Sequence, residues 1–593
     1  MNYPALAAET ESAMGSVERP SFAGKHAWTI GLAFLFVLAG YLLSFSYDMN
    51  DSLDTARWME NGNALQLAEF RHLVQRMLPL YAWLELQWSH FQVSAIVLLS
   101  AIDFISAALS VLLFYRIVKE VTKSRPISFL TTFAYATAHC VWIYTGSGRL
   151  YSTSMLLVFA GYYLALRLPE VEGERRRMAA AFAAGAMICF ASLFWLVHVF
   201  NAVGVGLLLL LRSGRGRLTL RYALMYALTG IILTAAITAA TVRYVDIPLS
   251  APAIHAWMDK TGTQPMKFNW QSPMNAAFGQ ANGILVMYEL PYLINAYIRH
   301  DPRILAMASL PWLAAKFVFV WILLLLCYVG PFFLFRRAEW STRALIVALY
   351  VPLALNFWFG LGWLGTDVQR FMPAMLSQFV LAALVVQALL RRIWYPRALA
   401  WVLTACVVFI AADNLIESLL PSQRRYIALE RQMSELNPYL RSNDLLVNFG
   451  RDITISYLTM SAYHAGAYGL NLTNDHTRWN WDRPDWKPAL NQVFETTWNR
   501  GGRVFVMDRL AEGFNPPAAA WNERQHPVPT VQQIAAFLRS DYCSHPVLQL
   551  EGARYYMVWR RLQGCRTQIR WQAINRTALL NDEPSFDHLS QSN

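Results

Sequence analysis

The strongest constraint on this chain is a series of apolar runs, each close to the length that crosses a bilayer, separated by short charged loops. A helix needs about 20 apolar residues to span the hydrocarbon core. Runs of this kind fall near 28–46, 93–115, 127–146, 151–168, 178–196, 199–212, 222–242, 308–335, 342–364, 372–390 and 396–417. About eleven spans are therefore predicted, with the short sixth run folding back on the fifth in a tight hairpin around His198. The composition agrees. Charged residues make up 15% of the chain, whereas soluble domains carry about 25%.

The loops orient the spans. With the N-terminus inside, the inner loops hold Arg116, Lys119, Lys123 and Arg125; Arg167, Arg175, Arg176 and Arg177; Arg212, Arg215, Arg217 and Arg221; Arg336 and Arg337; and Arg391 and Arg392. Each is basic, as the positive-inside rule requires. A net charge of +12 distributed in this way answers to anionic inner-leaflet lipid, and no nucleic-acid partner is expected. Residues 1–27 are polar and have no hydrophobic region or cleavage site of a signal peptide, so they read as a cytoplasmic tail. The membrane domain is expected over 28–417, with outer loops at 47–92 and 243–307. The part at 418–593 is expected to be a soluble α/β domain on the extracytoplasmic side.

That last part has its own pattern. Asp444–Phe449 and Arg503–Met507 are short apolar runs bounded by Gly, Asp or Asn, the signature of buried parallel strands. Thr530 is placed to cap a helix ending near Leu538, and Ser540–Trp559 supplies the last strands. Cys140, Cys189, Cys327 and Cys406 lie in or beside apolar spans and read as packing residues. Cys543 and Cys565 are the pair in the polar part, and a disulfide between them suits an oxidising compartment. No Cys/His spacing suggests zinc.

The chemistry-bearing residues gather in the first outer loop. Asp48, Asp51 and Asp54 follow the first span directly. A carboxylate at the membrane surface can take a proton from an attacking hydroxyl or hold a metal ion, and it can equally cap a helix start. The loop continues through Trp58, Arg71, His72 and Arg76 to Tyr81. These cations and aromatics beside carboxylates suit a phosphorylated lipid head, since arginine offers a planar fork to phosphate; a snorkelling interfacial helix is the plainer alternative. A third outer element, Gly362–Pro373, places Arg370 at the interface, where it can neutralise a phosphate or anchor the turn. Asp103, His139 and His198 are ionisable groups at membrane depth. Hydrogen-bonded packing is the expectation for Asp103 and His139, and a position near the acidic loop for His198. The segment 284–298 reads as an interfacial or re-entrant helix.

The order of these elements resembles the GT-C glycosyltransferases. The resemblance rests on Asp48 opening the first outer loop, Arg71-His72-Leu73 ahead of Pro79-Leu80-Tyr81, Val141-Trp142-Ile143-Tyr144 followed by Arg149-Leu150-Tyr151, and Arg370-Phe371-Met372-Pro373 before a late span. It implies a GT-C-like bundle, a polyprenyl-phosphate-linked sugar as donor, and a glycan, lipid or protein as acceptor. Asp48 would be the general base, with Arg370 and Arg71, helped by His72 and Arg76, holding the donor phosphate. His198, Tyr81 and Trp58 would contact substrate. The family's usual Asp-Glu pair is absent, because Met49 follows Asp48, so Asp51 or Asp54 takes the base's role as an alternative. Some family members use a divalent metal ion, and nothing in this sequence requires one. A glycan on Asn50 would crowd such a site, which favours a bacterial inner membrane as the location. A transporter or lipid-linked-glycan flippase without covalent chemistry is the alternative function. Transporters tend to carry midplane charges and repeated halves, and this chain shows few such charges and no repeat.

Overall fold

The computed structural model describes residues 34–42 (except 36), 51–89, 93–212, 217–260, 266–287 (except 267), 310–391 (except 364 and 366), 396–436, 438, 440–448, 465–472, 485–513, 530–550, 553–561 and 565. The fold is mostly helical, followed by a five-stranded sheet. Its main helices are α1 (Asp51–Glu60), α2 (Leu73–Trp88), α3 (Ala95–Thr122), α4 (Arg125–Thr137), α5 (Tyr151–Arg167), α6 (Glu174–Phe194), α7 (Val199–Arg212), α8 (Arg217–Tyr244), α9 (Ser272–Ile284), α10 (Leu310–Tyr328), α11 (Trp340–Gly362), α12 (Met375–Leu390), α13 (Pro396–Asn414) and α14 (Leu420–Leu436).

Among the described residues, seven helices are long and apolar enough to cross a membrane: Ala95–Thr122, Glu174–Phe194, Thr219–Tyr244, Pro311–Phe335, Trp340–Gly362, Val368–Leu390 and Arg397–Arg424. The other predicted spans differ for identifiable reasons. The run at 28–46 is described only in part. Helix α5 has 17 residues and α7 has 14. The run at 127–146 is broken at Ala138, whose ψ of 137° ends α4 before a short helix resumes at His139. Polar side chains from distant segments hold that break. Asn414 Nδ2 donates to the Thr137 carbonyl at 2.9 Å, and the His139 ring bonds the Asn282 carbonyl at 2.7 Å and Ser418 Oγ at 2.9 Å. Such partners satisfy the backbone and ring groups that the interrupted helix exposes. The hairpin around His198 is present: α6 ends at Phe194, Leu196–His198 forms a 3-10 turn, and α7 follows.

Two buried ionisable groups of the helices, Asp103 and Lys316, have polar or charged partners. Asp103 is fully buried on α3 and accepts from the Ser152 amide at 3.0 Å and from Ser147 Oγ at 3.3 Å, fixing the loop that enters α5. Lys316, also fully buried, contacts Asp413 at 2.6 Å and Glu417 at 2.7 Å, tying α10 to the end of α13. A π-turn at Leu415–Leu419 brings Asp413 and Glu417 to the same lysine. The helical course then continues into α14 without a stop, so position 417/418 falls inside this helical run.

The sheet orders its strands β2-β1-β3-β5-β4, with β1 Leu445–Asn448, β2 Tyr468–Asn471, β3 Val504–Met507, β4 Tyr542–Leu550 and β5 Ala553–Arg560. As the apolar runs predict, β1 and β3 are buried throughout and run parallel, Leu445 opposite Val504. Buried Asp444 joins their starts by accepting from the Arg441 amide at 2.8 Å, the Arg503 amide at 2.9 Å and Arg503 Nη2 at 2.6 Å. Thr530 caps the helix Val531–Asp541 as expected, and Gln533 returns the bond to the Thr530 amide. Antiparallel β4 and β5 complete the sheet. Cys543 and Cys565 are joined as a disulfide, with their Cα atoms 5.3 Å apart. One buried cluster reaches from the first loop (Leu53, Leu67, Leu80) through Trp257 to Met433 and the sheet (Phe505, Tyr555).

Candidate active site

The site is built where the N-terminus of α1 meets the loop between the short helix His139–Tyr144 and α5. Asp51 and Asp54 occupy the first turn of α1, where the free amides and helix dipole favour negative charge. Three residues apart, they point in different directions. Asp51 faces a small polar cleft together with His72, Gln75, Arg76, Arg149 and Tyr151, while half-buried Asp54 does not line it. The Asp51 side chain is 61% exposed and stands 3.5 Å from Arg149 Nη1.

Backbone geometry explains how Arg149 arrives there. Gly148 has φ +80°, which strains any residue with a side chain, and a Cβ on it would lie 3.3 Å from both Ser52 Cβ and Ser100 Oγ, so the loop packs closely on α1 and α3. Leu150 is buried with φ +57°, a conformation costly for a branched side chain and found mainly where the surroundings enforce it. Gln75 donates to the Arg149 carbonyl from α2 and locks the loop to the cleft wall.

A second layer centres on Glu69. This carboxylate is 6% exposed and pairs with Arg71 and Arg76 at 2.5 Å each. Burial alone would raise its pKa, but Arg76, His72 and Arg71 outweigh burial and hold it below the usual range. Arg76 also lies 5.4 Å over the Trp58 ring. At His72 the balance differs. Burial first, then Arg76, push the imidazole down to about 4 against the pull of Glu69, so it is neutral at pH 7. Its Nδ1 is 3.2 Å from the Phe194 carbonyl. A carbonyl only accepts, so Nδ1 carries the proton and Nε2 remains an acceptor.

The third layer is the 3-10 helix Val368–Ala374. Gln369 Oε1 accepts from Arg149 Nη1 at 2.9 Å and from Tyr151 Oη at 2.8 Å, while its amide group donates to Asp367. Asp367 in turn stands 3.4 Å from Arg370 Nε, and the Arg370 guanidinium lies 4.2 Å over the Trp363 ring. That Nε is buried and makes no hydrogen bond among the described residues. Arg370 therefore connects to the cleft through Gln369 without lining it.

Two expected substrate contacts lie elsewhere. His198 is fully buried, bonded to Ser154 at 2.8 Å and Asn201 at 3.2 Å, and reaches the cleft wall indirectly, through the stack of Trp195 on Tyr151 and through Ser154, which donates to the Tyr151 carbonyl at 2.7 Å. Tyr81 is exposed on α2 against Tyr244, ring centroids 5.6 Å apart. Asp48 and most of 284–298 lie outside the described residues.

Glu69, Arg149, Tyr151 and Gln369 were not singled out by sequence, although Arg149 and Tyr151 sit inside the segments that carry the family resemblance and Gln369 directly precedes one of them. Among the described residues no cluster of three His, Cys, Asp or Glu stands at metal-binding distance, and a guanidinium, that of Arg149, stands beside Asp51 in the cleft.

No protein-family model matches the chain, and no curated protein matches it in sequence. Solved structures are similar in fold. ArnT from Cupriavidus metallidurans in the apo state has a TM-score of 0.53 at 11% identity, covering 90% of this chain and 98% of that one. The same protein bound to undecaprenyl phosphate gives 0.51 at 11% identity, with the same coverage. The Archaeoglobus fulgidus oligosaccharyltransferase in complex with Zn and sulfate gives 0.49 at 13% identity, covering 89% of this chain and 72% of that one. The likeness to ArnT over nearly its whole length shows that this chain, with its several helices long and apolar enough to cross a membrane, shares the fold of that protein, with a sheet in its C-terminal part.

Proposed function

We propose that the chain is an integral-membrane glycosyltransferase that moves a sugar from a polyprenyl-phosphate carrier to a hydroxyl-bearing acceptor at the extracytoplasmic face of the inner membrane. The observation that carries this reading is an exposed carboxylate, Asp51, 3.5 Å from Arg149 in a cleft also lined by Arg76. The fold shared with ArnT, a protein solved with undecaprenyl phosphate, supports the same class of carrier.

The chemistry follows from the groups present. A carboxylate of the first loop, Asp51 or the neighbouring Asp48, takes the acceptor hydroxyl's proton as its oxygen attacks the anomeric carbon. The bond from that carbon to the carrier phosphate breaks, and the phosphate leaves with one more negative charge. Arg149 and Arg76 are placed to stabilise that charge, and Arg370 follows through Gln369; each such preorganised donor is worth about 3–4 kcal/mol in comparable sites. Neutral His72 offers Nε2 as an acceptor for a sugar or acceptor hydroxyl, and Trp58 backs Arg76.

Transfer of labelled sugar from a polyprenyl-phosphate donor, in reconstituted bilayers, tests the proposal. Asn variants of Asp48, Asp51 and Asp54 are compared in correctly inserted protein. Wild-type rates in all three would sink it, as would movement of the lipid-linked sugar across the bilayer without covalent transfer.

A further inference from the structure

The end of α12 remote from Arg370 carries a second feature that the proposed reaction does not use. Helix α10 breaks at Val329, and a short helix, Gly330–Phe335, begins with Pro331 in its first turn. The break is pinned to α12: a Cβ on Gly330 would sit 2.6 Å from Val385 Cγ2, so only glycine permits this approach. Around that contact the helices leave an apolar groove of about 480 Å³, walled by Ile322, Leu326, Gly330, Leu334, Val385 and Leu389.

The length and ends of the groove identify its occupant. At about 1.5 Å per residue the wall from Ile322 to Leu334, broken once at Val329, extends up to about 18 Å, comparable to the depth of one leaflet, about 15 Å. At one end both walls finish within two residues of arginine: Leu334 before Arg336 and Arg337, and Leu389 before Arg391. All three arginines are exposed. Between 330 and 345 the sequence opposes three arginines with a single acid, Glu339. Trp340, 56% exposed, anchors the same level as an interfacial aromatic.

We infer that this groove is a binding site for one anionic phospholipid of the leaflet facing the basic loops, its acyl chain between α10 and α12 and its phosphate on Arg336, Arg337 and Arg391. An apolar chain and an anionic head match the two parts of the site at the spacing a phospholipid presents. The inference is independent of the sugar-transfer reading, because the groove and the cleft lie at opposite ends of α12.

Native mass spectrometry of the full chain, purified in detergent and exposed to phosphatidylglycerol or phosphatidylcholine, tests it. Wild type should retain phosphatidylglycerol roughly 10- to 100-fold better, as expected of three arginines near an anionic head. The triple variant Arg336→Gln/Arg337→Gln/Arg391→Gln should lose that preference and bind both lipids weakly. Ala388→Trp, which fills the groove and leaves the arginines intact, should lose retention of both, and gives a reading even if the triple variant does not fold. Equal retention of the two lipids by wild type, an unchanged preference in a monodisperse triple variant, or unchanged retention by a monodisperse Ala388→Trp would overturn the site.

Discussion

Two ion pairs in this molecule use the same chemistry for opposite ends. Lys316 and Asp413 are 2.6 Å apart, 0% and 5% exposed, and sealed between α10 and α13. Arg149 and Asp51 are 3.5 Å apart, and the carboxylate is 61% exposed to a cleft. In the first, each charge is committed to the other, with Glu417 as a second partner, and the pair can only hold helices together. In the second, the guanidinium is fixed from behind by Gln369 while the carboxylate is mostly exposed. Burial and distance separate the structural pair from the one proposed to react.

The comparison can be broken most directly at Asp51. Asp51→Asn should lower sugar transfer by about 10²- to 10⁴-fold if the carboxylate is the base, while the melting temperature in detergent barely changes, because an exposed pair contributes about 0–1 kcal/mol. A large loss of stability with normal transfer would reverse the assignment of the two pairs. Lys316→Met should do the opposite. It leaves Asp413 buried without its partner, at about 3–5 kcal/mol, read as a fall in melting temperature, and Lys316→Met/Asp413→Leu should recover much of it.

Smaller effects sharpen the picture. Arg149→Gln should cost about 10²- to 10³-fold in kcat, by loss of one charged donor to the leaving phosphate; an effect confined to KM would place Arg149 in ground-state binding only. The smallest effect is pH dependence. His72 is held down to about 4 in the fold against an ordinary value of 6.5, so between those values the unfolded chain binds the extra proton. Stability therefore falls as pH drops from 6.5 towards 4, and depressed Glu69 adds a loss of the same sign at lower pH. A melting-temperature profile of His72→Gln should be flatter over that window; an unchanged profile would show that His72 is not shielded from protonation.

Much of the architecture was legible because it depends on local pattern. Apolar length marks the long spans, and short apolar runs bounded by Asp444 and by Gly502–Arg503 mark β1 and β3. The break at Ala138 was not legible, since hydropathy does not record that Asn282, Asn414 and Ser418 will arrive to satisfy a broken helix. The candidate site divides the same way. Asp51, His72 and Arg76 stand out as ionisable residues in the predicted first outer loop, and the structure brings them to one cleft. Glu69 and Gln369 are single polar residues whose roles exist only once segments near 70, 150 and 370 meet. His198 was misleading because an ionisable residue in a helical hairpin looks the same in sequence whether it faces a cleft or bonds Ser154 and Asn201 behind one.

The central claim is that the cleft of Asp51 and Arg149 receives the carrier phosphate. A cryo-EM map of the protein in nanodiscs with polyprenyl phosphate tests it most directly. The account predicts phosphate density in contact with Arg149, within reach of the first-loop carboxylates and with Arg370 close behind. Phosphate bound elsewhere, with Arg149 still closed on Asp51 and Gln369, would contradict it.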